Sequence, residues 1–411
     1  MRIFFICLRV PFPPDRGDKI ATFNLVRHLS LTHEVHVFCL SDGAADDANV
    51  AALGDYARSV TAVPRSAIGE KLRGVKALLT GAPLSVAFVN EKQLHLAVKS
   101  KAARLPPDLI IAYSSNVAQF VTEFSSTPRI MYFSDLDSQK WLQYGERLAF
   151  PINWIYRRES KLLLEDERRT AKAFSRSVVC TQAEKRDFER LIPGAPVDVL
   201  PNGVDLERFR SRHIPKQAGT MIFTGVMNYF PNVDGVQWFS ECVLPLIREQ
   251  VPHATFMICG TSPTAAVRRL AKRPGVIVTG AVPDVRPYLD AAEICVVPLR
   301  IARGIQNKLL EGLAMGLPCI SSRCSWGGTV IAEGDGILVA DDPTEFAAHA
   351  IRLLQDQQYR ELMGQKARAA VEEKYTWDDQ LQQLDQIIQR ITGTKRSDGA
   401  RTDQSRELVR C

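Results

Sequence analysis

Apolar positions fall into short continuous runs separated by longer amphipathic stretches, and the rhythm occurs twice along the chain. In the first half, residues 2–8, 34–40, 108–113, 129–134 and 177–180 read as buried strands, with helical segments such as "KIATFNLVRHLS" between them. After residue 219 the rhythm returns. "TMIFTG", "ATFMICG", "GVIVTG", "ICVVPL" and "PCISS" read as strands, spaced by helices including "NVDGVQWFSECVLPLIREQ" and "PDVRPYLDAA". Strand and helix in alternation build parallel sheets covered on both faces, so the pattern predicts an α/β chain of two Rossmann-like, doubly wound domains. With 411 residues, 45% of them hydrophobic, two such cores can be buried.

The expected organisation is an N-terminal domain over 1–200, a C-terminal domain over 201–375, and a helix over 376–391 that crosses back to the first domain. A polar tail over 392–411 lacks an apolar face and reads as disordered. The join is "VLPNGVDLERF", punctuated by proline, Asn-Gly and Asp. Thr181 and Glu184 have the spacing of a helix capping box, and Ser134 with Asp137 has that of a capping pair. Open parallel sheets bind ligands beyond the carboxyl ends of their strands, so two sheets facing one another make an interdomain cleft.

Composition narrows the setting. Nine cysteines include no CxxC pair, and Cys7, Cys39, Cys259, Cys295 and Cys319 sit inside β-like runs, which points to a reducing cytoplasm rather than a disulfide scaffold. No stretch approaches the roughly 18 apolar residues of a membrane-spanning helix, and the first apolar run meets Arg9 and prolines too early for a signal peptide. The net charge of +6 is unevenly spread: residues 58–104 hold nine Lys/Arg against Glu70 and Glu91, a local excess of +7. Within that segment "IGEKLRGVKALLTG" sets Ile68, Leu72, Val75 and Leu79 on one helical face beside Lys71, Arg73 and Lys76, the pattern of a helix lying on an anionic membrane. No nucleic-acid partner is expected.

Chemistry concentrates in a few turns. No GxGxxG follows a strand and no GxxxxGK[ST] occurs, which removes the usual markers of nicotinamide dehydrogenases and P-loop NTPases. Gly17 lies near a helix start after the first strand, where backbone can approach a phosphate. "RGIQNKLLEGLAMGLPCISS", residues 303–322, begins with glycine and amides, turns into an apolar helix and breaks at Gly316-Leu317-Pro318. It follows "ICVVPL", so Arg300, Arg303, Gly304, Asn307 and Lys308 lie at a carboxyl edge where cations and a helix N-terminus can meet a diphosphate. Glu311, one helical step beyond Lys308, can accept hydrogen bonds from sugar hydroxyls. Asp135-Leu136-Asp137 is a DxD sequence, but the two-sheet pattern argues against the fold that uses it to hold metal, and no metal site is assigned.

These motifs resemble glycosyltransferase family 4, retaining enzymes of the GT-B fold. The resemblance rests on "PNGVD", on "GAVPDVRPYLDAAEICVVPL" at 280–299 and on "GIQNKLLEGLAMGLPCISS", and covers about residues 1–391. More narrowly, "MYFSDLDSQKW", "YRRESKLLLEDERR" and "PNVDGVQWF" resemble the sugar transferases associated with PEP-CTERM exosortase systems. The resemblance implies that Gly304, Ile305, Gln306, Asn307 and Glu311 hold a nucleotide-sugar donor, that Val282 lies in the loop receiving the base, and that Glu311 is the second glutamate of an E-x7-E motif. The first glutamate is replaced by Arg303. The family's cations after the first strand of the second half are replaced by Asn228 and Asn232, and its histidine after the fourth strand by a position near Tyr113.

The expected function is therefore transfer of a hexose-type sugar, with retention, from a nucleotide diphosphate sugar to a lipid-linked glycan in bacterial exopolysaccharide assembly. Lys308 and Asp135 are the expected catalytic pair, the first stabilising the departing diphosphate and the second standing near the acceptor or the reacting carbon. No organic cofactor is needed. The setting implied is cytoplasmic, peripheral at the inner face of the inner membrane. Two alternatives share the fold: a sugar-nucleotide 2-epimerase, and a non-catalytic scaffold.

Overall fold

The structure, a computed structural model, describes residues 1–212 and 214–393. Most of the polar tail, from 394 onward, lies outside the described residues. Two sheets form, and every strand pair in both is parallel. The first contains β1 (Arg2–Arg9), β2 (Glu34–Ser41), β3 (Ser59–Pro64), β4 (Leu109–Tyr113), β5 (Arg129–Ser134), β6 (Arg176–Val179) and β7 (Val197–Val199), in the order β3-β2-β1-β4-β5-β6-β7. The second contains β8 (Thr220–Thr224), β9 (Thr255–Cys259), β10 (Val276–Gly280), β11 (Ile294–Val297), β12 (Cys319–Ser321) and β13 (Ile337–Val339), in the order β10-β9-β8-β11-β12-β13.

Strand order reverses between β1 and β4 in one sheet and between β8 and β11 in the other. At such switch points the crossovers leave on opposite faces and open a crevice at the strand ends. Central strands are apolar on both sides because helices cover both faces: Ile3, Phe5 and Ile111 pack into one layer of the first domain, Phe4, Ile6 and Ile110 into the other. Phe223, Phe239 and Phe256 are fully buried in the second core. Burial of each such side chain contributes about 1.5–3 kcal/mol.

The last helix, Trp377–Thr392, begins at Thr376, whose hydroxyl accepts from the Asp379 N–H at 3.2 Å. Its apolar face, Leu381, Leu384, Ile387 and Ile388, joins the core around Ile3 and Phe5, and Asp385 meets His28 at 3.0 Å. The chain leaving β7 runs past this helix. A Cβ on Gly203 would stand 2.7 Å from the Trp377 backbone, so only glycine fits there.

Candidate active site

The two switch points face each other across a cleft of about 970 Å³. On the second-domain side its floor is the helix Asn307–Ala314, entered through Gly304, which adopts a left-handed backbone with φ 63°. A Cβ at Gly304 would lie 3.0 Å from the Cys180 sulfur of the first domain, so the loop's close approach to the opposite wall also selects glycine. The first turn has no side-chain cap, and while the Leu309 N–H donates to the Gln306 carbonyl at 2.9 Å, the Asn307 and Lys308 N–H groups stay open to the cleft.

Lys308 and Glu311 project from this turn into the cleft. The Lys308 ammonium donates to Asn232 Oδ1 at 3.2 Å and lies over the Phe223 ring at 5.2 Å. Asn232 is itself fixed, since its amide donates to the Val226 carbonyl at 2.9 Å. Burial lowers the Lys308 pKa to about 8 although Glu311 opposes the shift, and burial raises that of Glu311. A desolvated cation beside unpartnered helix N–H groups is a strong electrostatic receptor for a diphosphate. Val282, Asn228, Ile305, Gln306 and Asn307 line the same cleft.

The first-domain wall is assembled from strand ends. Gly17 opens the helix Gly17–Ser30 after β1, and a Cβ there would lie 3.7 Å from the Asn307 amide nitrogen, so the two helix starts meet across the cleft. Asn202 donates to Asn307 Oδ1 at 3.1 Å, a second link between the walls. Ser114 and Ser134, at the ends of β4 and β5, hold φ of 82° and 67°. Non-glycine residues adopt this conformation at a cost of order 1 kcal/mol, and both sit at the cleft. The turn at Ser134 delivers Asp135 into it. Burial raises the Asp135 pKa to about 6, with Asp137 and Glu184 adding repulsion and Lys140 and Arg303 opposing it.

Several expected site residues lie elsewhere or are already engaged. Arg300 is absent from the cleft lining; its guanidinium pairs with Asp234 at 2.9 Å. Arg303 reaches the cleft, but its guanidinium bridges to Glu184 at 2.8 Å and Asp187 at 2.7 Å on the first domain's Gln182–Leu191 helix. Of the three cations expected at the diphosphate, Lys308 remains. Asp137 is engaged by Lys140, and Ser134 caps no helix, because the Asp137–Arg147 helix starts after Leu136 without a side-chain cap. Arg73 is structural: it donates to the Ala87 and Phe88 carbonyls and pairs with Glu91 at 2.6 Å. Lys71 and Lys76 are exposed.

The sequence reading missed Glu184 as an interdomain anchor. Thr181 does accept from the Glu184 N–H at 2.9 Å, but the glutamate side chain accepts from the Leu136 N–H and pairs with Arg303. Asn202, which lies in "PNGVD", was legible as part of a join and not as a cleft residue.

Two Rossmann-like domains whose switch points enclose one nucleotide-sized cleft define the GT-B architecture. Residues 19–208 match the family model described as Glycosyltransferase Family 4, and residues 218–356 the one described as Glycosyl transferases group 1. The two matches together span most of the chain, and both models describe glycosyltransferases. A curated relative, the UDP-Gal:alpha-D-GlcNAc-diphosphoundecaprenol alpha-1,3-galactosyltransferase of Escherichia coli, is 23% identical over 213 residues, 46% of this chain and 54% of that protein. The chain thus matches about half the length of this relative. Sucrose-phosphate synthase from Thermosynechococcus elongatus superposes with a TM-score of 0.73 at 15% identity, covering 96% of this chain and 100% of that one. Anabaena HepE in complex with UDP gives 0.67 at 14% identity, covering 95% and 100%. Both structures share the fold.

Proposed function

We propose that this chain is a retaining glycosyltransferase that moves a sugar from a nucleotide diphosphate sugar to a lipid-linked glycan, in bacterial exopolysaccharide assembly of the kind associated with PEP-CTERM exosortase systems. The observation carrying the reading is the meeting of Lys308, Glu311 and the open helix turn at Asn307 with Asp135 across one cleft. In this reading Glu311 accepts from ribose hydroxyls, while Lys308 and the helix N–H groups neutralise the diphosphate. Gly304, Ile305, Gln306 and Asn307 follow the donor toward the first domain, Val282 and Asn228 flank its base and phosphates, and Gly17 closes over it. The bond from the anomeric carbon to the diphosphate oxygen breaks, the acceptor oxygen bonds to that carbon on the same face, and the acceptor proton passes to the departing diphosphate. Ionised Asp135 stabilises positive charge on the sugar and orients the acceptor.

The acceptor half of the proposal is supported by the surface of the first domain and by the name of the E. coli relative, which specifies a diphosphoundecaprenol-linked acceptor. Among the described residues no helix is long and apolar enough to cross a membrane. The helix Ala67–Thr80 exposes Ile68, Leu72, Val75 and Leu79, with Leu79 82% exposed, next to Lys71 and Lys76. Arg158 ties this helix to Ile152–Ala173, whose start carries exposed Ile152 and Trp154 after exposed Phe150. In the proposal these two elements rest on the anionic inner face of the inner membrane. Incubating the protein with radiolabelled nucleotide sugars and bacterial membranes tests the function. Label entering the lipid-extractable fraction is expected, and release of free sugar without any glycolipid would contradict it.

A further inference from the structure

A small chamber branches from the cleft behind Asp135. Asp135, Lys140 and Gln143 form its first-domain side, and Tyr229, Arg303 and Gln306 its second-domain side. Five of these six also line the main cleft, so the two spaces communicate. The chamber sits at the Arg303 end of the loop, opposite to the Glu311 end that receives the nucleoside in the reading above. A sugar attached to the diphosphate therefore points toward it.

Three properties limit what can enter. The free volume is about 30 Å³. That admits about two groups of water size. Gln143 Oε1 and Arg303 Nε are buried and have no hydrogen-bond partner among the described residues, so one acceptor and one donor await a group able to serve both, as a hydroxyl does. The charges close to the chamber are three cations, Lys140, Arg303 and, at the Arg300 carbonyl, Arg147, against four carboxylates, Asp135, Asp137, Glu184 and Asp187, with Lys140 and Arg303 already in ion pairs. A further anion is repelled.

We propose that this chamber is a specificity subsite for the transferred sugar that receives the exocyclic hydroxymethyl group of a neutral hexose and rejects a carboxylate at the same carbon. The hydroxymethyl group fits because it is two heavy atoms long, stands clear of the ring and ends in a hydroxyl. A uronate carboxylate is larger by one oxygen and brings a charge into a site already negative. The proposal rests on the donor reading of the cleft, and Gln143 is its specificity-determining residue.

Calorimetry with a matched set of ligands on the nucleoside diphosphate that binds tests it, for uridine UDP, UDP-glucose, UDP-xylose and UDP-glucuronate. Wild type is expected to bind UDP-glucose at least tenfold more tightly than UDP-glucuronate. Gln143→Leu, which keeps the bulk and removes the acceptor, is expected to weaken UDP-glucose about tenfold. It should leave UDP and UDP-xylose, which lacks the hydroxymethyl group, unchanged. Equal weakening of all ligands, no weakening of UDP-glucose, or equal wild-type affinity for glucose and glucuronate donors would overturn the subsite while leaving the donor reading intact. Failure of every bare nucleoside diphosphate to bind would overturn the donor reading and the subsite with it.

Discussion

The two walls of the cleft are built in different ways. The second-domain wall adds to residues from the ends of β8, β9 and β10 one continuous segment, Gly304 to Glu311, in which a left-handed glycine, an open helix turn, a lysine and a glutamate follow at fixed spacing. The first-domain wall gathers Gly17, Ser114, Asp135 and Asn202 from the ends of separate strands. Even within the loop, the two cations Arg303 and Lys308 divide between the walls. Lys308 stays on its own domain beside Asn232 and faces the cleft, whereas Arg303 reaches across and is neutralised by Glu184 and Asp187. A positive residue at a strand end is therefore not in itself a phosphate ligand; what matters is which carboxylates the opposite domain brings to it.

The largest expected effect separates chemistry from binding. Asp135→Asn should lower turnover by about 10² to 10³, the range for losing a preorganised charge at a reacting centre, while nucleotide affinity stays within twofold by calorimetry. A matching loss of affinity would place Asp135 on the donor wall. Next comes the contrast between the arginines. Arg303→Ala strands the buried Glu184 carboxylate, while Asp187 keeps Arg190, and should lower unfolding stability by about 3 kcal/mol, whereas Arg300→Ala, from a partly exposed pair, should cost less than about 1 kcal/mol in the same denaturant titration.

The pH profile sharpens the division of labour. Below about 6 Asp135 takes up a proton and loses the charge it needs, and above about 8 Lys308 loses its proton and its attraction for the diphosphate. The profile of kcat/KM, which reports the free enzyme, should fall on both sides, and the acid limb alone should disappear in Asp135→Asn. A smaller effect concerns the outer surface. Lys71→Glu with Lys76→Glu should weaken co-sedimentation with phosphatidylglycerol vesicles by tenfold or more, since each basic residue near an anionic leaflet contributes on the order of 1 kcal/mol. Arg73 belongs to the fold and makes an uninformative target there.

What could be read from the sequence follows the same contrast. Central strands such as Ile3–Cys7 and Ile294–Val297 are apolar throughout because both faces are covered, and the pattern exposes them. The strands it did not reveal, β3, β7 and β13, all lie at sheet edges, where three residues suffice or burial is partial, so little apolar signal is needed. The Gly304–Glu311 segment of the cleft was legible because its residues are neighbours in sequence. Glu184 read correctly as part of a helix start, yet its carboxylate serves Leu136 and Arg303, partners 48 and 119 positions away that no local pattern discloses. Gln143 and Tyr229 carried no signal at all, since their meeting around one chamber depends on how the two domains face each other.

The central claim is that the Asn307–Ala314 turn, and not the opposite wall, holds the donor's diphosphate and ribose. It is tested most directly by titrating the nucleoside diphosphate that binds wild type into Lys308→Ala, Glu311→Ala and Asp135→Asn in a calorimeter. Losing a charged hydrogen bond removes about 1.5–3 kcal/mol, so the first two variants should each bind about tenfold or more weakly and the third like wild type. Wild-type affinity in both Lys308→Ala and Glu311→Ala would contradict the account.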